Sequence, residues 1–411
     1  MLKSFRVAMV WCALVSSVAA APGDMLFKVT RPDSQPGEGF GAVVAAVDDD
    51  IIVSELFVRP FQNDAAGRAY LFDGQTGKLT FTFNNPQPQN NDSYAASLAG
   101  GDGRAFVGTT GVNGRVYAYG TVTGELLQTI PQPTPQNPAF GSALAYGEGR
   151  LLVSDPAFSG VPFIAQGIGE AYLFNAATGQ LERPIRNPAP ELGDLFGSGT
   201  SLAISGNRAI VGSILANDDA GRVWAFDRSS GNVLLTLENP NPESTFFDSF
   251  GFSVTANQDI IAVGAQEDST SGVEGDGTVY VFDALSGSLR HTLFNPHSRV
   301  NAEFGRSIAL TDDGNLLVGA FGNAGGGHAY LFDSVTGNLL LDIANPDPST
   351  VGVFGFSVAT IGNNMVVGAP GGTGAVYVLE AIPEPSSFAL AGTVLFFAIA
   401  VLRRRALVRP S

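Results

Sequence analysis

Few residues of this chain have the types and spacing that chemistry requires. Its three histidines, His291, His297 and His328, share no motif and fall in different repeat units or connections. They read as loop and surface residues rather than as a triad or a metal set. Glu267 and Asp268 with Glu274 and Asp276 could hold one calcium ion, although a solvated acidic loop is the plainer reading. Gly325-Gly326-Gly327 precedes a strand pattern, so it lacks the helix N-terminus that completes a phosphate cradle. Phe57, Phe61, Phe158 and Phe163 lie in long loops where they could stack on sugar rings, yet loop packing is the commoner fate of such side chains. No nucleophile stands beside a base. The chain is therefore read as non-catalytic, with no cofactor and no metal ligand beyond that calcium candidate.

Short strands must position all of these side chains. From Phe250 to Pro296 the chain runs Phe250-Gly251 and an alternating apolar stretch, a polar turn, Ile260 to Ala265, a loop, Gly277 to Asp283, a turn ending at Gly287, and Leu289 to Leu293. Four β-branched or aromatic runs between Gly, Asp and Asn turns are four strands in up-and-down order. The opening pair recurs at Phe40-Gly41, Phe140-Gly141, Phe196-Gly197, Phe304-Gly305 and Phe354-Gly355, with a degenerate Tyr94-Ala95. The spacings are 54, 46, 56, 54, 54 and 50 residues. One such sheet cannot bury both faces alone, and units at this period stack into a β-propeller. The fold class is all-β: a seven-bladed β-propeller of four-stranded antiparallel blades, near 37–92, 93–136, 137–192, 193–247, 248–301, 302–351 and 352–381.

The seventh unit stops after three strands, because Glu380 leads into Pro383. Met25 to Asp33 resembles the closing runs Leu234 to Pro242 and Leu340 to Pro348. This N-terminal strand is expected to complete the last blade and close the ring, hiding strand edges. Turns after first and third strands are short throughout, and length variation concentrates after second strands, at 54–66, 155–168 and 265–276. One face is thus plain and the other elaborated, and the elaborated face is where a ligand is expected. The Asp or Asn ending third strands (Asp73, Asn175, Asp227, Asp283, Asp333) precedes a Gly by four residues, the spacing of a turn cap. The Phe-Gly glycines are expected where crowding at the channel excludes a side chain.

Both ends differ from the repeat. Lys3 and Arg6 precede an apolar run, and Val18-Ala19-Ala20 offers small residues for cleavage after Ala20, so 1–20 reads as a signal peptide. The single cysteine, Cys12, lies inside it. Pro383-Glu384-Pro385 is followed by an apolar stretch and then Arg403-Arg404-Arg405, which reads as one transmembrane helix over 386–402 with a basic stop. The intervening 21–382 is the propeller. Lysine and arginine number 22 against 38 acids, and six of the cations but only Glu384 lie outside 21–382, leaving that body at about −21. Such a surface repels phosphate backbones, which disfavours nucleic acid as a partner, and none is expected.

Residues 383–405 resemble a PEP-CTERM sorting tail, which implies a bacterial envelope protein processed by an exosortase, anchored at the membrane or released to the extracellular matrix after tail cleavage. The Phe-Gly openings with Val263-Gly264-Ala265, Val318-Gly319-Ala320 and Val367-Gly368-Ala369 resemble FG-GAP repeats, the units of the integrin-α head. The turns between first and second strands are shorter than that family's calcium loop. Tyr330 to Gly337 resembles pyrroloquinoline-quinone propellers, with Trp224 the one tryptophan of 21–382. The favoured reading is a propeller that binds exopolysaccharide or a protein through its loop-rich face. A propeller enzyme (hydrolase, lyase or quinone-dependent dehydrogenase) and a calcium-dependent adhesin are the alternatives.

Overall fold

The computed structural model describes residues 21–32, 38–57, 67–89, 92–111, 113–133, 139–156, 169–191, 193–242, 247–348 and 353–380. Among them 28 strands form seven separate four-stranded sheets, the blades. Blade 5 is typical: Phe250–Ala256, Ile260–Ala265, Thr278–Asp283 and Leu289–Phe294, each paired antiparallel with the next. In the seventh sheet Ser357–Ile361, Asn364–Ala369 and Ala375–Leu379 are joined by Met25–Thr30, which pairs antiparallel with Ala375–Leu379. Lys28 stands opposite Tyr377 and Val29 opposite Val376. The expected signal peptide ending at Ala20, the expected tail residues Pro383, Glu384, Pro385, Arg403, Arg404 and Arg405, and Phe61, Phe158 and Phe163 lie outside the described residues. Phe57 ends a second strand. Among the described residues no helix is long and apolar enough to cross a membrane.

The core lies between blades. Phe250 packs with Val223, Ala225 and Leu237 of blade 4 and with Tyr280 and Phe282 of its own sheet. Its ring meets Tyr280 at 5.8 Å and Phe282 edge-on at 6.1 Å. The same trio recurs as Phe40, Tyr70 and Phe72, and as Phe304, Tyr330 and Phe332. Each aromatic pair adds about 0.5–1.5 kcal/mol beyond burial. The glycine that follows each phenylalanine has a physical reason other than the expected crowding at the channel. Gly305 holds φ +87°, and a Cβ there would meet Val279 of the preceding blade.

A second constraint ties blades together. At one register position of the first and second strands, one blade residue is serine and its partner is small or apolar. Ser97 faces Gly108, Ser253 faces Gly264 and Ser357 faces Gly368. These hydroxyls donate to the backbone oxygen of the next blade's Phe-Gly glycine: Ser97 to Gly141 at 2.7 Å, Ser253 to Gly305 at 2.6 Å, and Ser357 to Gly41 at 2.8 Å. Blades 1 and 3 invert the arrangement. There the first strand has Val43 or Ala143, and Ser54 or Ser154 on the second strand accepts that residue's N–H at 2.8 Å.

The turns behave as their spacing predicts. Asp333 Oδ1 accepts the N–H groups of Val335 (2.8 Å) and Thr336 (3.0 Å), and Gly337 takes φ +74°. Donors of this kind hold these carboxyls below their usual range. They are chiefly the Thr336 amide at Asp333, the Thr76 hydroxyl at Asp73 and the Ser230 amide at Asp227. A depressed folded pKa gives stability that is complete above the unfolded carboxyl pKa, about 3.9, and lost as pH falls through the folded value. Asn175 supplies the same two bonds in blade 3 without a charge. Asp333→Asn is therefore expected to leave the neutral-pH melting temperature nearly unchanged and to flatten its fall below about pH 4, as thermal melts from acid to neutral pH will show.

Candidate functional site

The first strands face the axis and line a channel. At its elaborated end lies a cavity of about 400 Å³, bounded by the residue after each Phe-Gly pair and its neighbours. These residues split the mouth into two unlike halves. Blades 1 to 4 contribute Ala42, Ala96, Ser142 and Thr200, whereas blades 5 to 7 contribute Phe252, Arg306 and Phe356. The small half leaves space and the large half fills it. Blade 4 carries two extra residues, Gly199 and Thr200, before its serine. Thr200 N–H donates to Phe252 O at 2.9 Å and Thr200 O accepts Val254 N–H at 3.1 Å, fixing the first strand of blade 5 at the mouth.

Arg306 is the one charged residue lining this cavity among the described residues. Its guanidinium lies 4.4 Å from the Phe356 ring centroid, 5.2 Å from Phe252 and 5.5 Å from Phe321. Nη1 donates to Gln266 Oε1 and Glu303 Oε2, both at 3.1 Å. Burial pushes the Glu303 carboxyl up, and Arg306 pulls it back in part. A planar cation is thus pinned among aromatic faces beside open volume, an arrangement suited to holding a ring or a chain end by stacking and hydrogen bonds. At the plain end a cavity of about 300 Å³ is lined by Ala46, Gly100, Tyr146, Ile204, Leu310 and similar residues, none charged.

The acidic loop is not a solvated one. Asp268 and Asp276 are fully buried, whereas Glu267 and Glu274 are exposed. Asp268 accepts from Tyr280 Oη (2.7 Å), Thr278 Oγ1 (3.2 Å) and Thr270 N–H (2.6 Å). Asp276 accepts from Asn295 Nδ2 (2.7 Å), Ser271 Oγ (2.8 Å) and Arg299 N–H (3.0 Å). The carboxylates stand on separate sets of donors that shape the loop from within.

The histidines also depart from expectation. His291 lies apart, with Nε2 2.8 Å from Val335 O. His297 and His328 converge on Asp342: His297 Nε2 is 2.7 Å from Oδ2, and His328 Nδ1 is 2.8 Å from Oδ1. Sequence separations of 45 and 14 residues hide this cluster. Alignment of the repeats carries its signal, since two of the residues depart from the other blades within blade 6 and the third in the connection that leads into it.

Fold and mouth together define a seven-bladed β-propeller, and residues 243–282 match the FG-GAP repeat while 381–405 match the PEP-CTERM protein-sorting motif. That motif implies an exported, envelope-associated protein processed by an exosortase-type enzyme. Residues 18–237, more than half of the chain, match the family of outer membrane protein assembly factor BamB, and the chain belongs to that family. A solved structure, the WD40 beta propeller domain of Doa1, is similar at 13% identity and a TM-score of 0.54, covering 88% of this chain and 97% of that one. At that identity the likeness carries the fold alone. No curated protein matches the chain.

Proposed function

We propose that this is a non-catalytic propeller of the bacterial envelope that binds an extracellular polysaccharide at the elaborated mouth of its channel. The leader 1–20 exports it, the body 21–382 forms the ring, and the apolar span 386–402 anchors it until the tail is cut near Pro383-Glu384-Pro385. The pairing of Met25–Thr30 with Ala375–Leu379 holds the ring shut. The supporting observation is the half-filled mouth, where Arg306 stands among Phe252, Phe321 and Phe356 beside about 400 Å³ of space. Aromatic faces stack on the apolar faces of sugar rings, and a guanidinium supplies hydrogen bonds to hydroxyl or carboxylate oxygens. A protein ligand at the same face is the second reading. It is favoured by the family's description as an assembly factor.

The test is binding of the detergent-solubilised full chain to an array of bacterial exopolysaccharides. Arg306→Ala is expected to weaken the best binder about tenfold, equivalent to about 1.4 kcal/mol, without loss of fold. Silence across the polysaccharides, or binding that Arg306→Ala and Phe356→Ala leave untouched, overturns the reading.

A further inference from the structure

We propose that His297, His328 and Asp342 form a binding site for a divalent transition-metal ion, Zn²⁺ by ligand type, on the outer edge of blade 6. Among the described residues they are the one group of three candidate ligands whose donor atoms all lie within 4.8 Å of one another. Two imidazole nitrogens and a carboxylate, with a fourth position left to water, is a donor set that zinc takes in tetrahedral geometry. A tetrahedral ion with bonds of about 2.0–2.2 Å holds its ligands roughly 3.3–3.6 Å apart. The present His–Asp separations of 2.7 and 2.8 Å need widen by less than about 1 Å to admit it.

Each ligand is held by a rigid element. His328 opens the third strand, His328–Phe332, and its ring stacks on Tyr330 at 5.7 Å and 17°. Asp342 lies on the fourth strand, Leu339–Ala344, opposite Tyr330. His297 comes from the connection between blades 5 and 6. Asn295 Oδ1 accepts the His297 N–H at 3.1 Å, and Asn295 Nδ2 is bound in turn to Asp276 and Asn323. The His297 and His328 rings lie 4.9 Å apart. His328 is largely covered, with 14% of its side chain exposed, while His297 at 54% leaves the fourth position open to solvent.

The repeat itself shows that this grouping is peculiar to one blade. Opposite the third-strand aromatic, blades 1, 2, 4 and 5 carry Thr82, Thr129, Thr236 and Thr292, where blade 6 has Asp342. At the place of His328 the others have Arg68, Arg115, Glu170, Arg222, Thr278 and Ala375. At the place of His297 the Asn-Pro connections have Gln87, Ala189, Asn241 and Asp347. A clasp between outer strand and preceding connection also exists in blade 7, where Lys28 meets Asp347 at 3.1 Å. A clasp needs two partners. Blade 6 brings three, each able to offer a lone pair when the imidazoles are neutral and their ring protons sit on the far nitrogens, with ligand atoms within 4.8 Å of one another, and a net charge of −16 on the chain favours a cation.

The experiment is calorimetric titration of the full chain, free of any histidine tag, with Zn²⁺. One equivalent is expected to bind, with affinity reduced about 100-fold in Asp342→Asn and in the His297→Gln/His328→Gln pair and unchanged in His291→Gln. Co²⁺ in place of Zn²⁺ is expected to give the intense visible absorption of a tetrahedral site, a readout independent of any variant's folding. Zinc binding that is equal in wild type and the folded double variant overturns the proposal. So does failure of the wild-type chain to bind Zn²⁺, or a Co²⁺ complex with only the faint bands of six-coordinate metal.

Discussion

Val29→Asp is expected to destabilise the whole ring by about 3–5 kcal/mol and to lower a single cooperative melting transition, because an unpaired carboxylate replaces a buried side chain. Val29 is 3% exposed and packs with Phe40, Val53 and Tyr70 of blade 1 and with Val376 and Val378 of blade 7. It occupies the buried place that Phe83, Ile130, Ile185, Leu237, Leu293 and Ile343 hold in the other outer strands. Those strands are held to their sheets by short turns, whereas Met25–Thr30 reaches its sheet from the far end of the chain. A strand without a turn can leave, and its departure would expose the edge of Ala375–Leu379. Leu237→Asp is the control for an equal burial defect inside one continuous blade. If Val29→Asp merely frees residues 21–32 to protease while the melting temperature holds, the N-terminal strand does not close the ring.

The periodic part of this architecture is legible in the sequence because the repeated residues each serve the backbone. Asp or Asn caps a turn, Gly takes positive φ, and the Phe of each Phe-Gly pair packs between neighbouring blades. Even the origin of the last strand is readable, since Met25 to Asp33 repeats the pattern of Leu340 to Pro348. The mouth is not legible. Arg306, Phe252 and Phe356 follow Phe-Gly pairs and look like ordinary alternation until the first strands are known to face the axis. The loop from Ala265 to Asp276 reads as solvated because its acids stand among small polar residues, yet Asp268 and Asp276 are buried against hydroxyls and amides. The His297–His328–Asp342 group escapes for a geometric reason: antiparallel pairing and a blade connection bring together residues that no local spacing rule connects.

Gly264→Val carries the second large effect, about 3–5 kcal/mol, and it tests how closely blades 5 and 6 approach. A Cβ at Gly264 would lie 2.0 Å from Gly305 O and 2.3 Å from Ser253 Oγ, so backbone, not only a side chain, must move. The same approach occurs at Gly319 against Gly355 O and at Gly368 against Gly41 O, at 2.0 and 2.2 Å. Blades 1 and 3 tolerate Ser54 and Ser154 there, and in both cases the next blade opens irregularly. Blade 2 begins Tyr94-Ala95, with Ala95 at φ +61°, and blade 4 inserts Gly199-Thr200. The second-strand residue and the following blade's entrance are therefore matched as a pair. Gly264→Ser combined with Ser253→Ala copies the inversion of blade 3 but keeps the regular Phe250-Gly251 and Phe304-Gly305 openings, so it is expected to recover less than half of the loss in chemical denaturation. Full recovery would locate the constraint within blade 5 alone and sever the argument that neighbouring blades set each other's spacing.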